Sequence, residues 1–155
     1  MEIKRAIFAG SFDPITKGHL MIIKKALKSF KEITVLIAIN EKKKLTYSLK
    51  DRIKFIKLST KGIKGIKVDS TNGLVVTYAK KHNIRYLIRG VRNNQDYVYE
   101  MKMKKVNQKL APNIKTIIIK ANKDYQDISS TKVKLLKKKG ECLSPYVSKN
   151  IIKYL

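Results

Sequence analysis

Two spacings of apolar residues alternate along the chain. Strand-like runs fall at 3–9, 33–39, 66–68, 85–89 and 115–120. The run Ile33-Thr34-Val35-Leu36-Ile37-Ala38-Ile39 is β-branched and apolar enough to be covered on both faces, as strands inside parallel sheets are. Between these runs the period becomes helical. Leu20, Ile23, Leu27 and Phe30 line one face, while Lys24, Lys25, Lys28 and Lys31 fill the other. Ser48-Leu49-Lys50-Asp51 has the form of a capping box, opening a helix that carries Leu49, Ile53, Ile56 and Leu58. Further helices are predicted from about Gly73 to His82, over 96–110, and after Ser129-Ser130. The last of these carries Val133 and Leu136 and closes on Lys137-Lys138-Lys139-Gly140, cations followed by a glycine stop. Ser144-Pro145 is an N-cap and first-turn pair for a final helix. The repeated β–α alternation predicts an α/β protein with a Rossmann-like, doubly wound, five-stranded parallel sheet and helices on both faces. With no internal repeat or Pro/Gly-rich linker, residues 1–155 are expected to form a single domain.

In such sheets ligands bind beyond the C-terminal ends of the strands. That rule singles out the junctions after the first, second and fourth strands, where the unusual residues lie. The first junction is Gly10-Ser11-Phe12-Asp13-Pro14-Ile15-Thr16-Lys17-Gly18-His19-Leu20. Gly10-Ser11 allows a ligand close to the backbone. The helix starting near Thr16 or Lys17 aims its free N–H groups at the same space, and such an end attracts anions. His19 in that first turn is placed to donate a hydrogen bond to a phosphate oxygen, and Asp13-Pro14 shapes the loop. The chain has neither a Gly-x-x-x-x-Gly-Lys-Ser/Thr string nor a Gly-x-Gly-x-x-Gly string, so the phosphate site is of another kind. The absence of a Gly-x-Ser-x-Gly elbow argues against a covalent serine mechanism.

Composition narrows the picture further. One cysteine, Cys142, excludes an internal disulfide and a cysteine-based metal centre. His19 and His82 alone cannot build a protein zinc site. No apolar run approaches the roughly 20 residues that cross a bilayer, and no secretory signal precedes the first strand, so a cytoplasmic location is expected. The net charge of +25 leaves open a basic nucleic-acid-binding protein. The lysines, however, are spread over the whole chain and no aromatic–basic RNA-binding string occurs, so a solvated lysine surface is the simpler account and no nucleic-acid partner is expected.

Three segments together, AGSFDPITKGHL, LIRGVRNNQDYVYEMKM and YQDISSTKVK, resemble the phosphopantetheine adenylyltransferases, members of the nucleotidyltransferase superfamily marked by Thr/His-x-Gly-His. The Thr-x-Gly-His and Ile-Ser-Ser-Thr strings also recur among cytidylyltransferases and nicotinate-mononucleotide adenylyltransferases. The Arg-Gly-Val-Arg…Tyr-x-Tyr-Glu segment is the specific one and argues against another acceptor, such as nicotinate mononucleotide or glycerol phosphate. The resemblance implies transfer of AMP from ATP to 4′-phosphopantetheine by in-line attack, without a covalent enzyme intermediate, giving dephospho-coenzyme A and pyrophosphate.

It also implies roles for residues. His19, Lys43, Ser11 and Arg92 would be catalytic. ATP would be held by Gly10, Ser11, Phe12, His19, Gly90, Arg92, Glu100, Tyr125, Ile128, Ser129, Ser130 and Thr131. Ser11, Lys43, Leu74 and Arg89 would meet phosphopantetheine, and aligning KKLTYSLKDR with the family's pattern selects Lys43 over Lys42 and Lys44. Glu100 would accept from the ribose or adenine side, although it is also spaced as an i,i+4 partner of Lys104. No metal is expected on protein ligands, since Mg²⁺ would arrive with ATP. The family resemblance further implies a homohexamer, a dimer of trimers, with coenzyme A as a feedback ligand.

Overall fold

The computed structural model describes residues 4–155, so the predicted start of the first strand at Ile3 lies outside the described residues. The strands are β1 (Arg5–Gly10), β2 (Glu32–Ala38), β3 (Ile66–Thr71), β4 (Tyr86–Val91) and β5 (Lys115–Lys120). The helices are α1 (Lys17–Ala26), α2 (Leu49–Ser59), α3 (Val75–Lys81), α4 (Asn94–Leu110) and α5 (Ser130–Lys138). All strand pairs are parallel, in the order β3-β2-β1-β4-β5. The direction of winding reverses between β1 and β4, and the crevice at such a reversal is where ligands bind.

Alternation along the strands splits the core in two. Ala6, Phe8, Ile33, Val35, Ile37 and Ile88 face α1, α2 and α5. Ile7, Ala9, Leu36 and Leu87 face Val76 and Ala79 of α3, with Ala111 and Ile114 beyond α4. Caps fix where the helices begin. Ser48 accepts from the Asp51 amide, Asn93 from Asp96 and Ser129 from Lys132. Gly140 (φ 71°) ends α5 as the glycine stop requires, while the Glu141 amide reaches back to the Leu136 carbonyl.

Two expectations are corrected. The first helix ends at Ala26, and Phe30 reaches the core from the turn that follows. The helix predicted after Ser144-Pro145 does not form. Turns lead instead to one 3₁₀ turn, Ile152–Tyr154. The Tyr146 carbonyl accepts from the Lys17 amide at 2.8 Å, and the Ser144 carbonyl accepts from Lys17 Nζ at 2.8 Å. These carbonyls serve the start of α1 instead of a helix of their own. Leu143, Val147 and Ile151 still bury their side chains. No described helix is long and apolar enough to cross a membrane.

Candidate active site

The loop after β1 is built around an aromatic turn. Phe12 takes φ 48°, and its ring folds back so that a Cβ on Gly10 would stand 3.4 Å from it. The ring lies edge-on to Phe8 at 5.4 Å and to His19 at 4.9 Å between centroids, which fixes the imidazole plane. Thr16 caps α1 reciprocally. Its hydroxyl accepts from the His19 amide at 3.4 Å, and its own amide donates to His19 Nδ1 at 3.0 Å. A histidine thus occupies the place that Glu or Gln takes in the usual capping box.

That bond has a chemical consequence. A backbone N–H donates to Nδ1, so Nδ1 must be a lone-pair acceptor and the proton of the neutral ring belongs on Nε2. Desolvation pushes the His19 pKa down to about 4, and the positive charges of Arg92 and Arg89 push the same way. The ring is therefore a neutral Nε2–H donor across the physiological range. Since the folded pKa lies below the ordinary 6.5, protons bind the unfolded chain first as pH falls. Stability that His19 contributes above pH 6.5 is lost between there and about 4. In an NMR titration of the free protein, one imidazole is expected to show no protonation above about pH 5, and that signal should vanish in His19→Gln. A His19 midpoint near 6.5 would refute the assignment.

Past Phe8 and Ile88 the β1–β4 ladder ends, and the strands part into a cleft of about 460 Å³. Gly10, Ser11, Phe12, His19, Lys43, Arg89, Gly90, Arg92, Tyr125, Ile128, Ser129, Ser130 and Thr131 all line it. Lys43 Nζ reaches Ser11 Oγ at 3.2 Å, whereas Lys42 and Lys44 do not line the cleft. Gly90 lies against α1, where a Cβ would stand 3.0 Å from Ile22 Cγ1. Arg92 pairs with Asp96 at 3.4 Å and remains open to the cleft. At the start of α5 the hydroxyls are partly engaged. Ser129 Oγ caps the helix, and Ser130 Oγ donates to the Pro14 carbonyl at 2.8 Å. With the Lys132 amide taken by Ser129 Oγ, the Ser130 and Thr131 amides of the first turn are the ones open to an acceptor from outside, a role suited to an anion.

Leu74 and Glu100 lie elsewhere. They line a smaller cavity of about 220 Å³, with Tyr99 and Met103, and Arg89 and Ala9 line both cavities. Glu100 is buried and holds Arg89 in a two-point bridge, with Nε to Oε2 at 2.9 Å and Nη2 to Oε1 at 2.7 Å. Its partner is thus Arg89, not Lys104. Arg89 Nη1 also donates to the Ala9 carbonyl at 2.8 Å, where the β1–β4 ladder has ended.

Three residues of this region were given no place in the site from the sequence. Asp13, read as a loop former, is almost fully buried and accepts from Thr46 N–H, Tyr47 N–H and Lys134 Nζ. Burial raises its pKa, but the Lys134 ammonium and the two amides together hold it below the usual carboxylate value. Lys134 lines the cleft, and Arg52 donates to the Ser11 carbonyl at 3.0 Å and the Tyr47 carbonyl at 3.1 Å. Lys134 carried one usable signal, its i+4 spacing from Ser130 on the same face of α5.

Among the described residues, no three or more of His, Cys, Asp and Glu gather as metal ligands. The acid that lines the cleft, Asp13, is engaged by a lysine and two amides.

A 3-2-1-4-5 parallel sheet with a neutral histidine, cations and a helix N-terminus converging at its switch point is the arrangement of an α/β nucleotidyltransferase. The family model for cytidylyltransferase-like proteins matches residues 7–135. A phosphopantetheine adenylyltransferase of Clostridium botulinum (strain Alaska E43 / Type E3) is 39% identical over 150 residues, 97% of this chain and 94% of that protein. A phosphopantetheine adenylyltransferase of Clostridium novyi (strain NT) is 40% identical over 148 residues, 96% of this chain and 92% of that protein. The crystal structure of a Vibrio parahaemolyticus protein, described as a candidate nicotinate-nucleotide adenylyltransferase, superposes with a TM-score of 0.73 at 16% identity. It covers 98% of this chain and 91% of that one, a likeness of fold. The chain belongs to the cytidylyltransferase-like family and, within it, to the phosphopantetheine adenylyltransferases.

Proposed function

We propose that the chain transfers AMP from ATP to 4′-phosphopantetheine, releasing pyrophosphate and forming dephospho-coenzyme A in coenzyme A biosynthesis. The observation that carries the choice of acceptor is the 39–40% identity to phosphopantetheine adenylyltransferases over nearly the whole chain, because the cleft chemistry alone suits any phosphate acceptor.

A phosphate oxygen of the acceptor attacks the α-phosphorus of ATP, the bond to the β-phosphate oxygen breaks, and pyrophosphate carries away the electron pair. The nucleophile is already an anion, so no general base is needed. The chain has to align the groups and neutralise the charge that accumulates. Lys43 and Ser11 hold the acceptor phosphate, and His19 Nε2–H donates to an α-phosphate oxygen. Arg92 and the α5 amides receive the β- and γ-phosphates, with Tyr125 beside the adenine. Arg89, fixed by Glu100, faces the acceptor side, and Leu74 lines the pantetheine arm in the adjoining cavity. Glu100 would act on substrate through Arg89 rather than by direct contact, since both its oxygens are engaged. Mg²⁺ entering on ATP would screen the triphosphate.

Assembly as a homohexamer, a dimer of trimers, is part of the same reading. It is supported by α4, where Tyr97, Val98, Tyr99, Val106 and Leu110 are exposed in the single chain, with Tyr99, Val106 and Leu110 spaced along one face. Coenzyme A as feedback ligand, a cytoplasmic location and the absence of a nucleic-acid partner complete it.

The test is a pyrophosphate-release assay with ATP, Mg²⁺ and side-by-side acceptors. Release is expected with 4′-phosphopantetheine and at most about a hundredth as fast with nicotinate mononucleotide or glycerol phosphate, because a mismatched acceptor leaves buried polar groups unpaired. No release with phosphopantetheine, in an assay that works for a control enzyme, would overturn the proposal.

A further inference from the structure

Asp13 ties together three segments that are far apart in sequence. Its own loop carries Ser11 and leads to His19. Its Oδ1 accepts from Tyr47 N–H at 2.9 Å, and its Oδ2 accepts from Thr46 N–H at 2.9 Å, so it holds the segment that follows Lys43. Oδ2 also takes Lys134 Nζ at 2.7 Å, from the second turn of α5. Arg52, 4% exposed, closes the ring by donating to the carbonyls of Ser11 and Tyr47. The segment from Asn40 to Tyr47 belongs to no helix or strand, and its residues are mostly exposed. Asp13 and Arg52 hold its backbone against the cleft, and the Tyr47 ring anchors its end on Phe55.

We propose that the Asp13–Lys134 pair is a positioning device that couples occupation of the nucleotide-phosphate side of the cleft to the placement of Lys43 on the acceptor side. The proposal rests on the adenylyl-transfer reading above. Lys134 lines the cleft one helical turn beyond Ser130, on the helix whose first amides receive phosphate. An incoming triphosphate offers its ammonium competing oxygens. As Nζ is drawn toward phosphate, the Asp13 carboxylate loses part of its compensation, and its bonds to Thr46 N–H and Tyr47 N–H strengthen. The loop tightens and Lys43 is seated beside Ser11. Lys134 acts on the acceptor through Asp13 and the loop, without touching it.

The experiment combines amide exchange with binding. In the wild type, the non-reacting α,β-methylene analogue of ATP should slow exchange at Thr46 and Tyr47 and tighten 4′-phosphopantetheine by about fivefold or more, the usual scale of coupling between two sites. In Lys134→Gln both responses should vanish, the acceptor affinity no longer depending on nucleotide. Lys134→Arg should restore them. Lys134→Gln keeps part of the aliphatic stem and an N–H donor but leaves the buried Asp13 carboxylate without its counter-charge, so some stability is lost and the melting temperature checks that the variant still folds.

An unchanged coupling factor in Lys134→Gln would overturn the proposal. So would weaker nucleotide binding with coupling intact, which would make Lys134 a plain phosphate ligand, or a loss of thermal stability alone. If the wild type binds nucleotide but never phosphopantetheine, the function proposed above fails. The exchange response at Thr46 and Tyr47 to nucleotide alone then still decides the role of the pair.

Discussion

His19→Ala is expected to lower kcat by about 10²–10³-fold while ATP affinity changes by no more than about threefold, the pattern of a donor that matters chiefly in the transition state. The asymmetry comes from the geometry of the first turn of α1. Thr16 N–H occupies Nδ1, so Nε2 carries the only proton the neutral ring can offer. A neutral N–H gains little from the ground-state phosphate, which has Mg²⁺ and water to share its charge. As the pentacovalent state forms, charge on the equatorial oxygens rises and the same bond strengthens. In the free protein desolvation, with Arg92 and Arg89 beside it, holds the ring neutral down to about pH 4. The measurement is kcat against nucleotide Kd in the same preparation, with circular dichroism to confirm the fold. Equal losses in rate and affinity would make His19 a binding or packing residue, the role its contacts with Phe8 and Phe12 would give it alone.

The parts of this site that were legible in the sequence are those whose cause is local. The helix start near Thr16 and the place of His19 in its first turn follow from neighbours along the chain, while the reciprocal Thr16–His19 cap that directs the imidazole comes from the structure. Parallel strands flanked by helices are likewise announced by a change of apolar period, and the strand order then brings the ends of β1 and β4 side by side. What escaped depends on distance. Asp13 and Lys134 are 121 positions apart, and in a chain with 36 basic residues the i+4 spacing of Lys134 from Ser130 is too common a mark to stand out. Glu100 had a plausible helical neighbour in Lys104, yet the fold presents it with Arg89, whose bidentate fork outcompetes a flexible surface ammonium. The final segment carried the signature of a helix start, but the carbonyls of Ser144 and Tyr146 were recruited by Lys17 from across the fold. α4 is the converse case, since Tyr97, Val98 and Tyr99 are consecutive and cannot all face one core.

Lys43→Ala is expected to lower kcat/KM for the acceptor by about 10- to 100-fold, the worth of one hydrogen bond to a charged group, with nucleotide affinity nearly unchanged. Lys42→Ala and Lys44→Ala should stay within about twofold at physiological salt, because exposed charges at such distances are screened. The three lysines are adjacent and chemically identical, so the contrast isolates placement. Only Lys43 lines the cleft, and its Nζ lies 3.2 Å from the hydroxyl of Ser11. The surrounding charge sharpens the comparison. With a net charge of +25, long-range attraction of an anionic substrate is a property of the whole surface, and losing one lysine changes it slightly. A deficit confined to Lys43→Ala therefore reports a contact with the acceptor phosphate, and it should persist as salt is raised. A deficit shared by all three variants, disappearing at high salt, would mean that this loop only steers the substrate and that the phosphate is gripped elsewhere. Since the loop is held through Thr46 and Tyr47 on Asp13, Lys43→Ala should also leave their amide exchange unchanged, separating loss of the ammonium from loss of the loop's position.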